Sequence, residues 1–115
     1  KRAGAAFTVS PGLDLDIVRA SHEAGMPSIP GVATPTEVQR ALGDGLTWLK
    51  AFPASLLGTG WFAAMRGPFP QATFVATGGM GSGNAEAYLT AGVQVVAVGS
   101  ALEDDAQLPA LAALL

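Results

Sequence analysis

One lysine in this sequence has the surroundings that covalent chemistry requires. Lys50 lies near the end of an otherwise almost entirely apolar run, Leu46-Thr47-Trp48-Leu49-Lys50-Ala51-Phe52-Pro53. If the run is a strand, its period of two places Lys50 on the face opposite Leu49 and Ala51. Burial disfavours the ammonium form of lysine and so makes its amine a nucleophile towards carbonyl groups. Lys50 is therefore a candidate for Schiff-base formation, and the alternative is a lysine that extends from a strand end into solvent.

Two glycine-containing turns are candidates for binding phosphate. Thr77-Gly78-Gly79 follows one apolar run of the chain, and Gly99-Ser100 follows the next. In (β/α)₈ barrels the loops after strands seven and eight commonly hold a phosphate, because glycine lets backbone amides approach it closely. The alternative is that these glycines only end strands, as they do in many α/β proteins.

A third loop, Ser10-Pro11-Gly12-Leu13, follows the first apolar run and is predicted on the same face as Lys50. It can equally be a plain turn from strand to helix. His22, beside Glu23, is predicted to be exposed to solvent. The cluster from Trp61 to Met65 is predicted to pack a helix and not to bind a cofactor.

The elements that must position these residues follow a repeat: an apolar run, a turn rich in glycine or proline, and a helical stretch that ends in glycine. Thr34-Pro35-Thr36-Glu37 is a capping box, with Thr34 as N-cap and Glu37 at N3. Asn84 is predicted to cap a later helix. The helices are predicted to end at Gly25, at Gly43 or Gly45, and at Gly92. The predicted strands are Ala5–Val9, Pro27–Val32, Leu46–Phe52, Thr73–Ala76 and Val95–Val98.

Strands that alternate with helices predict a parallel sheet. The spacing of about two dozen residues per unit fits a (β/α)₈ barrel, which needs eight strands and typically 200 residues or more. Five strands in 115 residues therefore predict an α/β fold, an incomplete (β/α)₈ TIM barrel. Residues 1–115 are expected to form a single partial domain with strands four to eight, without the N-terminal part. The alternative is an open five-stranded α/β sheet.

Composition excludes several classes of function. Half of the residues are apolar and only 13% are charged, against about 25% charged in ordinary soluble proteins. We therefore expect apolar faces that contact something outside these residues. A net charge of −3 with six Lys plus Arg argues against nucleic acid as a partner. The chain has no cysteine and one histidine, so no ordinary metal site is predicted. No apolar run approaches the roughly 18 residues of a membrane span, and a cytoplasmic location is expected.

Six signatures, in order along nearly the whole chain, resemble the family of 2-keto-3-deoxy-6-phosphogluconate (KDPG) aldolases and 4-hydroxy-2-oxoglutarate (KHG) aldolases. They are Val9-Ser10-Pro11-Gly12-Leu13, then Ile29-Pro30-Gly31-Val32-Ala33-Thr34-Pro35-Thr36-Glu37, Lys50-Ala51-Phe52-Pro53-Ala54, Gly67-Pro68-Phe69-Pro70, Thr77-Gly78-Gly79 with Asn84 and Tyr88-Leu89, and Val98-Gly99-Ser100.

The resemblance implies a class I aldolase of the Entner–Doudoroff pathway, a homotrimer that needs no metal or organic cofactor. It implies that Lys50 forms an imine with the C2 carbonyl of a phosphorylated 2-keto-3-deoxy sugar acid and that pyruvate and glyceraldehyde 3-phosphate are released. Thr77 matches a threonine near the reacting carbon, and Pro11 matches a residue that lines the pocket. The residues that match the phosphate-holding loops are Gly78, Gly79, Gly99 and Ser100.

The sequence also departs from the family pattern. The family's glutamate base, a nearby arginine and a threonine all belong to early strands that this sequence does not contain. Ser55 stands where many members carry glutamate, and Ala101 where an aromatic residue often follows the serine. The choice between KDPG, its galactonate epimer and KHG, which yields pyruvate and glyoxylate, stays open. Two other functions also stay open: a phosphate-binding segment without lysine chemistry, and an inactive structural half-barrel that dimerises through its edges.

Overall fold

The computed structural model describes residues 1–114, in which short parallel strands alternate with helices. A 3₁₀ segment, Ser100–Glu103, follows the last strand. The strands are β1 (Thr8–Val9), β2 (Ser28–Ile29), β3 (Gly31–Val32), β4 (Trp48–Ala51), β5 (Thr73–Thr77) and β6 (Val95–Ala97). The helices are α1 (Leu15–Glu23), α2 (Pro35–Gly43), α3 (Ala54–Leu57), α4 (Thr59–Arg66), α5 (Ala85–Thr90) and α6 (Gln107–Ala112).

All strand pairs are parallel, as predicted. β1 pairs with β2, and the larger sheet has the order β3-β4-β5-β6. In its register Lys50 lies between Gly31 of β3 and Val75 of β5. The sequential order of neighbouring strands is the order that a (β/α)₈ barrel requires.

The second predicted strand, Pro27–Val32, is interrupted at Pro30, and this corrects the sequence prediction. Pro30 is fully buried and separates β2, which pairs with β1, from β3, which pairs with β4. Proline has no N–H to donate to a ladder, although its carbonyl still accepts a hydrogen bond from the amide of Lys50 at 2.9 Å. The other four strands lie where they were predicted, with ends that differ by up to three residues.

The hydrophobic core lies on one face of the sheet, beneath the helices. Leu49, Ala51 and Ala76 are completely buried there. The aromatic rings of Trp61, Phe62, Phe74 and Tyr88 meet edge to face, with centroids 5.1–5.9 Å apart. Phe62 and Met65 are buried, so the predicted packing role of the Trp61–Met65 cluster is confirmed, and His22 is exposed, as predicted.

The opposite face of the sheet is open. Large apolar side chains on it are 39–53% exposed: Phe7, Val9, Trp48 and Val95. The molecule measures 39 × 38 × 21 Å, a flattened shape unlike a closed cylinder. This is the apolar surface that the low charge content predicted.

The capping box at α2 forms as predicted. The amide of Glu37 donates to Thr34 Oγ1, and Glu37 Oε2 accepts from the amides of Ala33 and Thr34 at 2.8 and 2.9 Å. The hydrogen bond from the Ala33 amide is the main cause of a lowered pKa at Glu37. Burial opposes it, and the hydroxyl and amide of Thr34 add to it. Gly45, at φ +84°, follows the end of the helix.

We expect Glu37→Ala to lower the free energy of unfolding by about 1 kcal/mol at pH 7, a typical value for losing a cap. Because the pKa of Glu37 is lowered from its ordinary 4.5 in the folded protein, its stabilisation is present above pH 4.5 and is lost as the pH falls through the folded value. Urea denaturation at pH 7 and pH 3 measures the difference. The matched control, the exposed Glu86→Ala in α5, should change stability by less than about 0.5 kcal/mol. A Glu37→Ala deficit of equal size at both pH values would contradict this explanation.

Candidate active site

Lys50 lies in a concavity of about 240 Å³ on the open face of the sheet. Its neighbours on β4, Leu49 and Ala51, are turned into the core, so the side chain of Lys50 lies on the other face, partly buried. Among the described residues that line this concavity Lys50 carries the only charged side chain. The lining is otherwise apolar apart from Thr77: Phe7, Val9, Ile29, Trp48, Val75, Val95 and Ala97. Within this described lining the amine of Lys50 is the side-chain group that can attack a carbonyl carbon.

Thr77, at the end of β5, lines the same concavity as Lys50. It is two residues beyond Val75, the register partner of Lys50, and therefore lies on the same face. The structure thus brings together two residues that are 27 positions apart in the sequence.

Pro11 is less closely associated with Lys50. Its loop crosses Gly31, whose amide donates to the carbonyl of Gly12 at 3.3 Å. A Cβ at Gly31 would lie 2.0 Å from the carbonyl oxygen of Pro11, so only glycine lets the loop pass this closely. Gly31 is the other register partner of Lys50, but Pro11 is not among the residues that line the concavity.

The loops after β5 and β6 meet at a second concavity, of about 570 Å³. Gly79 and Ser100 both line it, together with Met80, Gly81, Gly83, Asn84, Ala101 and Gln107. Gly78 and Gly99 lie beside it without lining it. The structure therefore places one residue from each predicted phosphate loop at a shared site.

The loop after β5 is held by two side chains whose contacts the sequence did not predict. Asn84 stands at the residue before α5, as expected, but its side chain does not cap the helix. Instead Oδ1 accepts from the amide of Gly81 at 3.0 Å, and Nδ2 donates to the carbonyl of Gly79 at 2.9 Å. The amide of Ser82 donates to Oε1 of Gln107 at 2.9 Å. Gln107 carries no sequence signal for this contact, since it lies 25 residues further along the chain.

Phe52 is the functional candidate that sequence reasoning missed. Its ring centroid lies 4.5 Å from Nζ of Lys50. The available signal was the strand period, because Phe52 follows Lys50 by two residues and so lies on the same face.

The profile of the KDPG and KHG aldolase family matches residues 1–112. The chain belongs to this aldolase family. It is 43% identical over 88 residues to a 2-dehydro-3-deoxy-phosphogluconate aldolase of Treponema pallidum, an alignment that covers 76% of this chain and 42% of that enzyme. The chain thus spans less than half the length of the curated relatives it matches.

Solved structures of aldolases in the family share the fold. The 2-keto-3-deoxy-6-phosphogluconate aldolase of Zymomonas mobilis matches with a TM-score of 0.80 and 32% identity, over 98% of this chain and 58% of that one. The KDPG aldolase of Legionella pneumophila, with pyruvate captured as a covalent carbinolamine, matches with a TM-score of 0.76 and 40% identity, over 83% of this chain and 47% of that one. The chain is accordingly an α/β protein with parallel strands that corresponds to part of a TIM barrel. No helix in its described part, residues 1–114, is both long and apolar enough to cross a membrane.

Proposed function

We propose that this chain is the imine-forming part of a class I aldolase that cleaves KDPG, KHG or both. The observation that carries the proposal is the position of Lys50: a single charged side chain within the described apolar concavity on the open face of the sheet. Active sites of (β/α)₈ barrels form where the strands end, and Lys50 is the third of four residues in β4. The relatives that match this chain are enzymes of this kind.

In the proposed reaction the neutral amine of Lys50 adds to the C2 carbonyl of the keto acid and forms a carbinolamine. Loss of water gives a protonated imine. Removal of the proton from the C4 hydroxyl then breaks the C3–C4 bond, and its electron pair flows into the imine to give an enamine and the aldehyde. Protonation of the enamine at C3 and addition of water release pyruvate and restore the amine, so the water lost earlier is returned.

The other predicted residues have supporting roles in this proposal. Thr77 lies beside Lys50 in the concavity and contacts the reacting part of the substrate. Gly78, Gly79, Gly99 and Ser100 form the loops that bind the phosphate through backbone amides. Pro11 shapes the pocket from the loop over Gly31.

The general base is proposed to come from a part of the barrel outside these residues, which are assigned to strands four to eight. No carboxylate is among the described residues that line the concavity around Lys50. Glu37 is a poor base, because its hydrogen bonds to Ala33 and Thr34 lower its pKa. A homotrimer remains the expectation that the family resemblance supplies, and a cytoplasmic location the expectation that composition supplies.

Borohydride reduction in the presence of pyruvate tests the proposal, because only an imine is fixed covalently. Peptide mapping by mass spectrometry should place the adduct on Lys50. A chain that binds inorganic phosphate but gives no adduct would instead support a phosphate-binding segment without lysine chemistry.

Gly79 provides a test of the phosphate loop. A Cβ at this residue, whose φ is +72°, would lie 2.3 Å from Oγ and 2.7 Å from Cβ of Ser55, so Gly79→Val has to displace the loop. We expect the KM for the phosphorylated keto acid to rise by about tenfold or more. The KM for KHG, which lacks a phosphate, should change much less. Steady-state kinetics of the complete enzyme measures both values. Gly60→Ala, at an exposed helical residue with open space around it, is the control. Equal losses for the two substrates would argue against a phosphate site.

A further inference from the structure

The ring of Phe52 lies against the nitrogen of Lys50. Nζ is 4.5 Å from the ring centroid, well within the distance of about 6 Å at which a lysine ammonium is attracted to the face of an aromatic ring. Phe52 is the residue after β4 and follows Lys50 by two positions. In an extended chain residues two apart lie on the same side, so the backbone brings the two side chains together.

Gly78 lies close to the same ring. A Cβ at Gly78 would lie 3.0 Å from Cδ2 and Cε2 of Phe52 and 3.0 Å from Cα of Pro53. The φ of Gly78 is +94°, a conformation that favours glycine. The Gly78 carbonyl also accepts a hydrogen bond from the amide of Ser55 at 3.0 Å, which joins the two loops. A side chain at this residue would therefore press on both the ring of Phe52 and the backbone of Pro53.

No charged side chain other than that of Lys50 is among the described residues that line its concavity. Along the described lining of the concavity no other side chain is titratable or charged, and the other polar side-chain groups are the hydroxyl of Thr77 and the indole N–H of Trp48. The Phe52 ring lies 4.5 Å from this nitrogen, and the quadrupole of an aromatic ring attracts a cation at that distance.

We propose that Phe52 is a positioning residue for Lys50 and that Gly78 keeps the ring in place. The ring holds the nitrogen while it is cationic, as the ammonium of the free protein and as the iminium of the adduct; the iminium part rests on the proposed function. Gly78 then has a second role besides the phosphate loop. Because it has no side chain, it leaves space for the ring of Phe52.

The pH profile of amine labelling at Lys50 tests this proposal without requiring catalysis. The complete enzyme is treated with dinitrofluorobenzene across a range of pH, and labelling of Lys50 is read by peptide mass spectrometry, with Lys1 as internal reference. Phe52→Leu, which keeps apolar bulk but loses the aromatic face, should move the midpoint of Lys50 labelling about 0.5 pH unit lower, the shift expected from losing a cation–π contact at a partly exposed site. Phe52→Tyr should keep the wild-type midpoint.

Replacing Phe52 with mono-, di- and trifluorophenylalanine weakens the quadrupole while keeping the shape, and should lower the midpoint in steps. Gly78→Ala should shift it in the same direction, and adding Phe52→Leu to Gly78→Ala should shift it less than the sum of the two changes. A midpoint that stays constant through the fluorinated series would overturn the proposal, even if Phe52→Leu fails to fold. Absence of a pyruvate adduct on Lys50 would sink the aldolase proposal alone, because the labelling profile does not depend on it.

Discussion

Replacing Lys50 with alanine should abolish the pyruvate adduct that borohydride fixes on the protein. The sequence contains only two lysines, Lys1 and Lys50. Lys1 is exposed to solvent. Of these two lysines, Lys50 is the one that lies in the apolar concavity, and we expect the covalent step to depend on it. Turnover by the complete enzyme should fall to the uncatalysed background.

Lys1→Ala is the matched control and should leave both adduct and turnover unchanged. Intact-mass analysis after borohydride treatment, followed by peptide mapping, measures the amount and the position of the adduct in both variants. An adduct that persists in Lys50→Ala would refute the assignment of Lys50, and an adduct that disappears in Lys1→Ala would do the same.

Supplying strands one to three of a family barrel in trans should make this chain monodisperse and raise turnover by about 10² to 10⁴, the usual contribution of general acid–base catalysis. Within residues 1–114, β1 and β6 each pair with a strand on one side only. Unpaired edges beside exposed apolar side chains such as Val9 and Val95 favour association with other chains. Light scattering and a pyruvate-release assay measure the two effects.

A companion segment whose predicted base glutamate is changed to glutamine separates the two effects. It should still give a monodisperse complex, because the edges are covered, but it should not restore turnover. If the isolated 115 residues are monodisperse and cleave substrate at the rate of their relatives, the base lies within this chain and our division of the site is wrong.

The fold was predictable where local pattern and burial agree. Leu49 and Ala51 alternate with Lys50, and the helices cover the apolar face, so period two alone gave the direction of the lysine. The capping box of Thr34 and Glu37 formed because both of its partners lie within one turn of helix. The apolar pattern of Pro27–Val32 does not show the break at Pro30; the signal is the proline itself, which has no N–H to donate to a ladder.

The site was less predictable because one of its contacts joins distant segments and because one local side chain binds its own loop instead of the helix that follows. Gln107 reaches the amide of Ser82, and Asn84 turns back to Gly79 and Gly81 instead of capping α5. Capping rules identify Asn84 as a residue that can begin a helix. They do not show that the preceding loop binds the same side chain instead. The roles of Pro11, Thr77, Gly78, Gly79, Gly99 and Ser100 remain predictions from the resemblance, and the geometry supports a common site for only some of them.

The two tryptophans of this chain differ in a way that provides an optical probe. Trp61 is held by the core, with Nε1 donating to the carbonyl of Ala33 at 3.0 Å, while Trp48 is 47% exposed on the open face beside Lys50. The wavelength of indole emission depends on the polarity around the ring. The more exposed Trp48 should therefore emit at a longer wavelength than Trp61. The chain thus carries its own fluorescent indicator of whether the open face is covered, with Trp61 as an internal reference in the same spectrum.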